Sequence, residues 1–102
     1  MKTLNLTSFI LDVGSETKTV HSCDVLLQIL ENRGKGGLTL KEMRERMPIM
    51  DKLEKALAND ATSIDLEDAE VKVLSAIAES MQWNIVSRDI VALSDELKEL
   101  AA

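Results

Sequence analysis

Thr39-Leu40-Lys41-Glu42-Met43-Arg44-Glu45-Arg46-Met47-Pro48-Ile49-Met50-Asp51-Lys52-Leu53-Glu54-Lys55-Ala56-Leu57 opens with the clearest local signal in the chain. Thr39-Leu40-Lys41-Glu42 is a capping box, in which the Thr39 side chain accepts from the amide of Glu42 and Glu42 reaches back to the amide of Thr39. Leu40, Met43, Met47, Met50, Leu53 and Leu57 then follow one another by three or four residues, the spacing of one helix face. The stripe stays in phase through Pro48. A proline inside a helix removes one hydrogen bond and costs about 3 kcal/mol. Two readings follow: one kinked helix over 40–58, or two helices with Pro48 in the first turn of the second. The unbroken phase favours the kinked helix. Asn59-Asp60 ends the element.

Toward the N-terminus, the segment Asn32-Arg33-Gly34-Lys35-Gly36-Gly37 stops an earlier helix, because its glycines tolerate left-handed conformations. That helix starts near Ser22-Cys23-Asp24, where Ser22 or Asp24 offers a cap, and carries Leu26, Leu27 and Leu30 on one stripe. Residues 3–11 alternate at Leu4 and Leu6 and finish on β-prone residues. Gly14-Ser15 punctuates, and Val20 lies in a second short β-prone patch. This reads as a short N-terminal strand or a hairpin.

Toward the C-terminus, Ser63-Ile64-Asp65-Leu66 alternates and reads as a short strand near 63–66, pairing with the N-terminal one. Leu66, Ala69, Val73, Leu74, Ile77, Ala78 and Met81 form an amphipathic helix, with Glu67, Asp68 and Glu70 in its favoured first turn. Gln82-Trp83-Asn84 is a connector. Ser87 caps a last helix striped by Ile90, Leu93, Leu97 and Leu100. The expected fold is therefore α+β and mostly helical: about four helices, one or two short strand elements, and a single domain over 1–102.

Composition narrows the function classes. Hydrophobic residues make up 45% and charged residues 29% of the 102, an ordinary globular balance. Phe9 and Trp83 are the only aromatics, so the core must be aliphatic and base-stacking platforms lack material. Cys23 stands alone, which rules out an internal disulfide and a cysteine-based zinc site; it reads most simply as a small buried hydrophobe. Residues 1–6 lack a signal-peptide layout, and no apolar run approaches the roughly 20 residues of a membrane span. A cytoplasmic location without membrane contact is the expectation.

Catalytic equipment is sparse. His21 is the only histidine, and the spacing of His21, Cys23 and Asp24 matches no metal-ligand pattern. Gly34-Lys35-Gly36-Gly37 departs from the phosphate-binding loop, since it follows a helix and its lysine lies between glycines. Asp65, Glu67, Asp68 and Glu70 lack the glycine and spacing of a calcium loop and suit a helix N-terminus instead. No cofactor, no metal and no enzymatic activity are expected.

Charge is polarised. Residues 33–55 hold seven bases (Arg33, Lys35, Lys41, Arg44, Arg46, Lys52, Lys55) against four acids, whereas residues 60–102 hold ten acids against three bases. Residues 24–58 can be laid out as a winged helix-turn-helix with Pro48–Ala58 as recognition helix. Lys52 and Lys55 there are cancelled by Asp51 and Glu54, and DNA recognition wants a basic excess. Met43, Met47 and Met50 share a face that serves either as core filler or as a binding groove. Trp83 is either a wedge between helices or an anchor for a partner.

One resemblance joins these pieces. The strand Leu4-Asn5-Leu6, Gly14, the helix with Val25-Leu26-Leu27, Gly37-Leu38-Thr39 with Glu42 and Arg46, and Ile64-Asp65-Leu66-Glu67-Asp68-Ala69-Glu70 before a final helix pair together resemble a group of small phage and prophage-encoded proteins. The resemblance implies a viral or mobile-element origin and carries over no catalytic residue.

The leading expectation is a non-enzymatic, phage-encoded protein-binding factor that modulates a host or viral protein assembly. Its contacts are expected at Lys41, Arg44 and Arg46, at Trp83, and on the acidic last helices. The alternatives are a winged-helix-like DNA-binding regulator and a small self-assembling structural protein, a homo-oligomer whose seam is Ile90, Leu93, Leu97 and Leu100.

Overall fold

A computed structural model describes residues 1–13, 16–33, 36–83 and 86–102. The expected punctuation at Gly14-Ser15, the Gly34-Lys35 half of the glycine segment, and Asn84 of the expected connector lie outside the described residues. The elements run β1 (Lys2–Asn5), β2 (Ser8–Val13), β3 (Glu16–His21), α1 (Ser22–Glu31), α2 (Leu40–Ala58), β4 (Ser63–Leu66), α3 (Asp68–Ser80) and α4 (Arg88–Ala101). Among the described residues this is an α+β, mostly helical fold with four helices and two antiparallel two-stranded sheets.

β1 pairs with β4 in the register Leu4↔Ile64 and Thr3↔Asp65, as the alternation at 63–66 predicts. Successive strand residues point to opposite faces. Leu4, Ile64 and Leu66 are accordingly buried, while Thr3 Oγ1 donates to Asp65 Oδ1 across the outer face at 2.8 Å. The pairing ties the first residues of the chain to its middle and floors the core.

Both a short N-terminal strand and a hairpin are present, and residues 3–11 are shared between them. The chain turns at Leu6-Thr7, and β2 pairs with β3 as a separate hairpin in the register Phe9↔Val20. The turn is fixed by tertiary bonds. The Leu6 amide donates to the Thr62 carbonyl at 2.9 Å, and the Thr7 amide to Ser22 Oγ at 2.9 Å. The Ser22 amide donates back to the Thr7 carbonyl at 2.7 Å. Ser22, buried, is therefore spent on this clamp. Asp24 is exposed, and the cap of α1 is neither of them: His21 Nδ1 accepts from the Cys23 amide at 3.1 Å.

α2 begins with the expected box: the Glu42 amide donates to Thr39 Oγ1 at 3.2 Å, and the Thr39 amide to Glu42 Oε1 at 3.3 Å. It then runs as one helix through Pro48 to Ala58. It closes through Asp60, whose φ of 50° is left-handed. There the Ala61 amide reaches back to the Ala56 carbonyl and the Asp60 amide to that of Leu57, the paired bonds of a Schellman ending. Pro48 is exposed and leaves the Arg44 carbonyl without its usual helical donor. Pro48→Ala is expected to stabilise the protein by about 1–3 kcal/mol, seen as a raised Tm in thermal unfolding. An unchanged or lowered Tm would mean that the packing requires the backbone geometry the proline sets.

The phase of α2 departs from expectation. Its buried residues are Arg46, Ile49, Leu53 and Ala56, with Met50 and Leu57 half-buried. Leu40, Met43 and Met47, the first half of the expected stripe, face outward. In contrast, the α4 stripe is as expected: Ile90, Leu93 and Leu97 are buried and Leu100 packs against the core. That packing turns this stripe into the α3–α4 contact, so it is not free to serve as the intersubunit seam expected above. One cluster of buried aliphatic side chains draws on β1, β4 and all four helices. No helix of the described residues is long and apolar enough to cross a membrane.

Candidate protein-interaction surface

Arg46 is where the expected basic contact surface fails. The residue is only 8% exposed, and its Nη1 donates to the carbonyl of Leu30, at 2.9 Å, and to that of Asn32. These groups belong to the end of α1, where the last helical carbonyls lack partners. α1 carries no basic residue in its own last turn, so the positive charge that suits a helix C-terminus arrives from α2. Glu42 Oε2 stands 3.8 Å from Arg46 Nη2 and balances part of that charge. Arg46 fastens two helices and is withdrawn from any partner.

Lys41 and Arg44 stay on the exposed side of α2. The seven bases of 33–55 do not assemble one face: besides Arg46, Lys52 Nζ is held by Glu70 Oε1 at 2.6 Å. Lys35 lies outside the described residues. The helix-turn-helix layout is likewise not formed, since Pro48–Ala58 continues α2 and is not a separate helix. Ile49, Leu53 and Ala56 turn its inner side into core.

Trp83 packs against the core and keeps part of its surface open. It is half-buried against the core, and its Nε1 donates to the Ala78 carbonyl near the end of α3 at 3.5 Å. Its remaining surface lines an open groove of about 380 Å³ together with Val86, Val91, Glu79 and Asp95.

Several of the groups weighed for chemistry are engaged in the fold, while Asp24 and Asp68 are exposed. His21 caps α1 and Cys23 is fully buried. Burial, with the nearby Asp24 carboxylate adding to it, pushes the Cys23 thiol above its ordinary pKa, away from the nucleophilic thiolate. Asp65 accepts from Thr3, and Glu70 Oε1 takes both the Glu67 amide, at 2.8 Å, and Lys52. Among the described residues, no three His, Cys, Asp or Glu side chains gather as a metal site would require. Gly37 has a left-handed φ of 76°, so at this position of the glycine segment the conformation itself favours glycine.

What sequence reasoning placed inside and the structure places outside is the better candidate. Leu40 is 65%, Met43 40% and Met47 59% exposed. Met43 and Met47 line an open groove of about 570 Å³ between α1 and α2, together with Met50, Leu30 and Leu38 and the charged Glu31, Arg33 and Arg46. The signal was present in the sequence as three methionines on one face, since methionine adapts to irregular partners as readily as it fills cores. Comparison with family models, with curated proteins and with solved structures finds no match for this chain.

Proposed function

We propose that this chain is a non-enzymatic protein-binding factor that takes an apolar segment of another protein onto the outward face of α2. The observation carrying this is the joint exposure of Leu40, Met43 and Met47 beside the Leu30–Leu38–Met50 groove. Grouped large apolar side chains at a surface are what contact sites require, and flexible thioethers mould to varied partners. Lys41 and Arg44 flank that face and suit a partner segment carrying acids. The engagement of His21, Cys23, Asp65 and Glu70 in the fold supports a binding role over a catalytic one. The resemblance to small phage-encoded proteins supports a host or viral assembly as the target. The lone, buried Cys23 suits a cytoplasmic setting, that of the host if the chain is phage-encoded.

The test is cross-linking capture with wild type and with Met43→Glu/Met47→Glu as paired baits, after circular dichroism shows the same helical signal for both. The expected result is a protein captured by wild type and lost to the double variant. Identical capture by both baits would remove α2 as the binding face.

A further inference from the structure

The C-terminal end of a helix carries partial negative charge, which favours a cation nearby. Three of the four described helices have one from within the chain. Lys55 lies in the last turn of α2 and Lys98 in that of α4, while the end of α1, with no base of its own, receives Arg46 from α2. α3 is the exception. Its last turn holds no base, and Glu79 there adds a full negative charge. Among the described residues, the side chains donating to its last carbonyls are neutral: Ser80 Oγ to Ile77 at 3.1 Å and Trp83 Nε1 to Ala78 at 3.5 Å.

The groove at this end has matching chemistry. Its volume of about 380 Å³ falls within the roughly 300–1,000 Å³ of ligand sites. Trp83, Val86, Ile90 and Val91 give it an aromatic and apolar lining, and Val86 and Val91 are exposed. The charged residues lining it are both acids, Glu79 and Asp95. Both are exposed, and neither is paired with a described base. Arg88 and Lys98, the bases of α4, are exposed and lie outside the lining, as does Lys72 of α3, about two turns before Glu79.

We infer that the Trp83 groove takes an arginine side chain from a segment of another protein, its guanidinium against the indole and the Glu79 and Asp95 carboxylates, its apolar neighbours against Val86 and Val91. The charge pattern decides the occupant: a groove whose charges are acids, at a helix end lacking a cation, is complementary to a cation beside apolar residues. Arginine suits it better than lysine, because the planar guanidinium stacks on an aromatic face and forks onto carboxylates. The fold already uses this chemistry once, where Arg46 closes the end of α1 with Glu42 beside it. The partner's arginine would do for α3 what Arg46 does for α1. This groove shares no lining residue with the one on α2, so the site goes beyond the α2 reading and does not depend on it.

Trp83 is the only tryptophan and the chain has no tyrosine, so intrinsic fluorescence reports on this groove. The test is a fluorescence titration with a terminally blocked pentapeptide that has arginine at its centre and valine on either side. Its counterparts carry citrulline, which keeps the shape and loses the charge, or lysine. The arginine peptide is expected to give a saturable change in Trp83 emission. The citrulline peptide should bind about tenfold or more weaker, the equivalent of about 1.4 kcal/mol. The same loss is expected when the arginine peptide meets Glu79→Gln/Asp95→Asn, two exposed positions whose fold circular dichroism checks. Met43→Glu/Met47→Glu should bind the peptide as wild type does, so this result and that of the α2 capture are read separately. No saturable change at millimolar peptide overturns the inference. Equal binding of the citrulline peptide, or binding unaltered in the Glu79/Asp95 variant, overturns it too, because the groove would then be apolar in function. A lysine peptide that binds as tightly as the arginine one overturns the choice of a guanidinium.

Discussion

Replacing Arg46 by alanine is expected to lower the free energy of unfolding by about 2–4 kcal/mol. Two effects add. The carbonyl of Leu30 lies in a buried environment and loses its donor, and an abandoned buried polar group costs about 1–3 kcal/mol. The aliphatic stem also leaves a void between α1 and α2, whose packing the side chain shares. Arg46→Met separates the effects by keeping most of the stem while removing both donors. Both bonds leave the single Nη1, so Arg46→Lys keeps the charge and several donors on one nitrogen, but its stem is one atom shorter and it lacks the second nitrogen that faces Glu42. Urea unfolding should therefore rank wild type above lysine, lysine above methionine, and methionine above alanine. If the alanine variant lies within about 0.5 kcal/mol of wild type, the range usual for surface positions, Arg46 does not fasten the helices. The result also bears on DNA binding: a lost DNA shift on removing Arg46 would report unfolding, so Lys41 and Arg44 are the residues to change.

The same residue explains why the inner face of α2 departs from the methionine stripe while that of α4 follows its own; in α3 the departure is smaller, with Val71 buried and Ala69 exposed. The α4 stripe of Ile90, Leu93 and Leu97 is wholly apolar and has polar neighbours, so periodicity alone gives its inner face. The capping box at Thr39 and the cap at Ser87 are likewise local, decided within four residues, and both are formed. In α2 the inner face is Arg46, Ile49, Leu53 and Ala56. An arginine at its head and an alanine at its foot make that stripe look shorter and more polar than the neighbouring one with three methionines. Only the carbonyls of α1, sixteen and fourteen residues back in the chain, supply the reason for an inward arginine. Similarly, Ser22 has the chemistry of a cap, but the Thr7 backbone, brought in by the β1–β4 pairing, claims its hydroxyl. His21 then takes the cap. Features settled by near neighbours could be read from sequence; those settled by distant backbone groups could not. The candidate binding face depends on the second kind, since its exposure follows from the turn that Arg46 imposes on α2.

That dependence makes the contrast between Ile49 and Met47, two residues apart, the sharpest measure of the fold. Ile49 is fully buried in the main cluster, and Ile49→Ala is expected to cost about 2–5 kcal/mol, a lost transfer term plus a cavity term. Met47→Ala removes a side chain already 59% in water and inserts a better helix former, so it should change stability by about 0.5 kcal/mol or less, in either direction. The continuous methionine stripe in the sequence predicts the reverse order, with Met47 inside and Ile49 at the flank. Chemical unfolding of the two single variants decides between these phases without knowledge of any partner. A costly Met47→Ala beside a harmless Ile49→Ala would rotate α2 back, bury the proposed face, and remove the physical basis for a binding surface there. The expected order leaves Met47 free in energy terms, and a large apolar side chain that contributes nothing to its own fold is available to another surface.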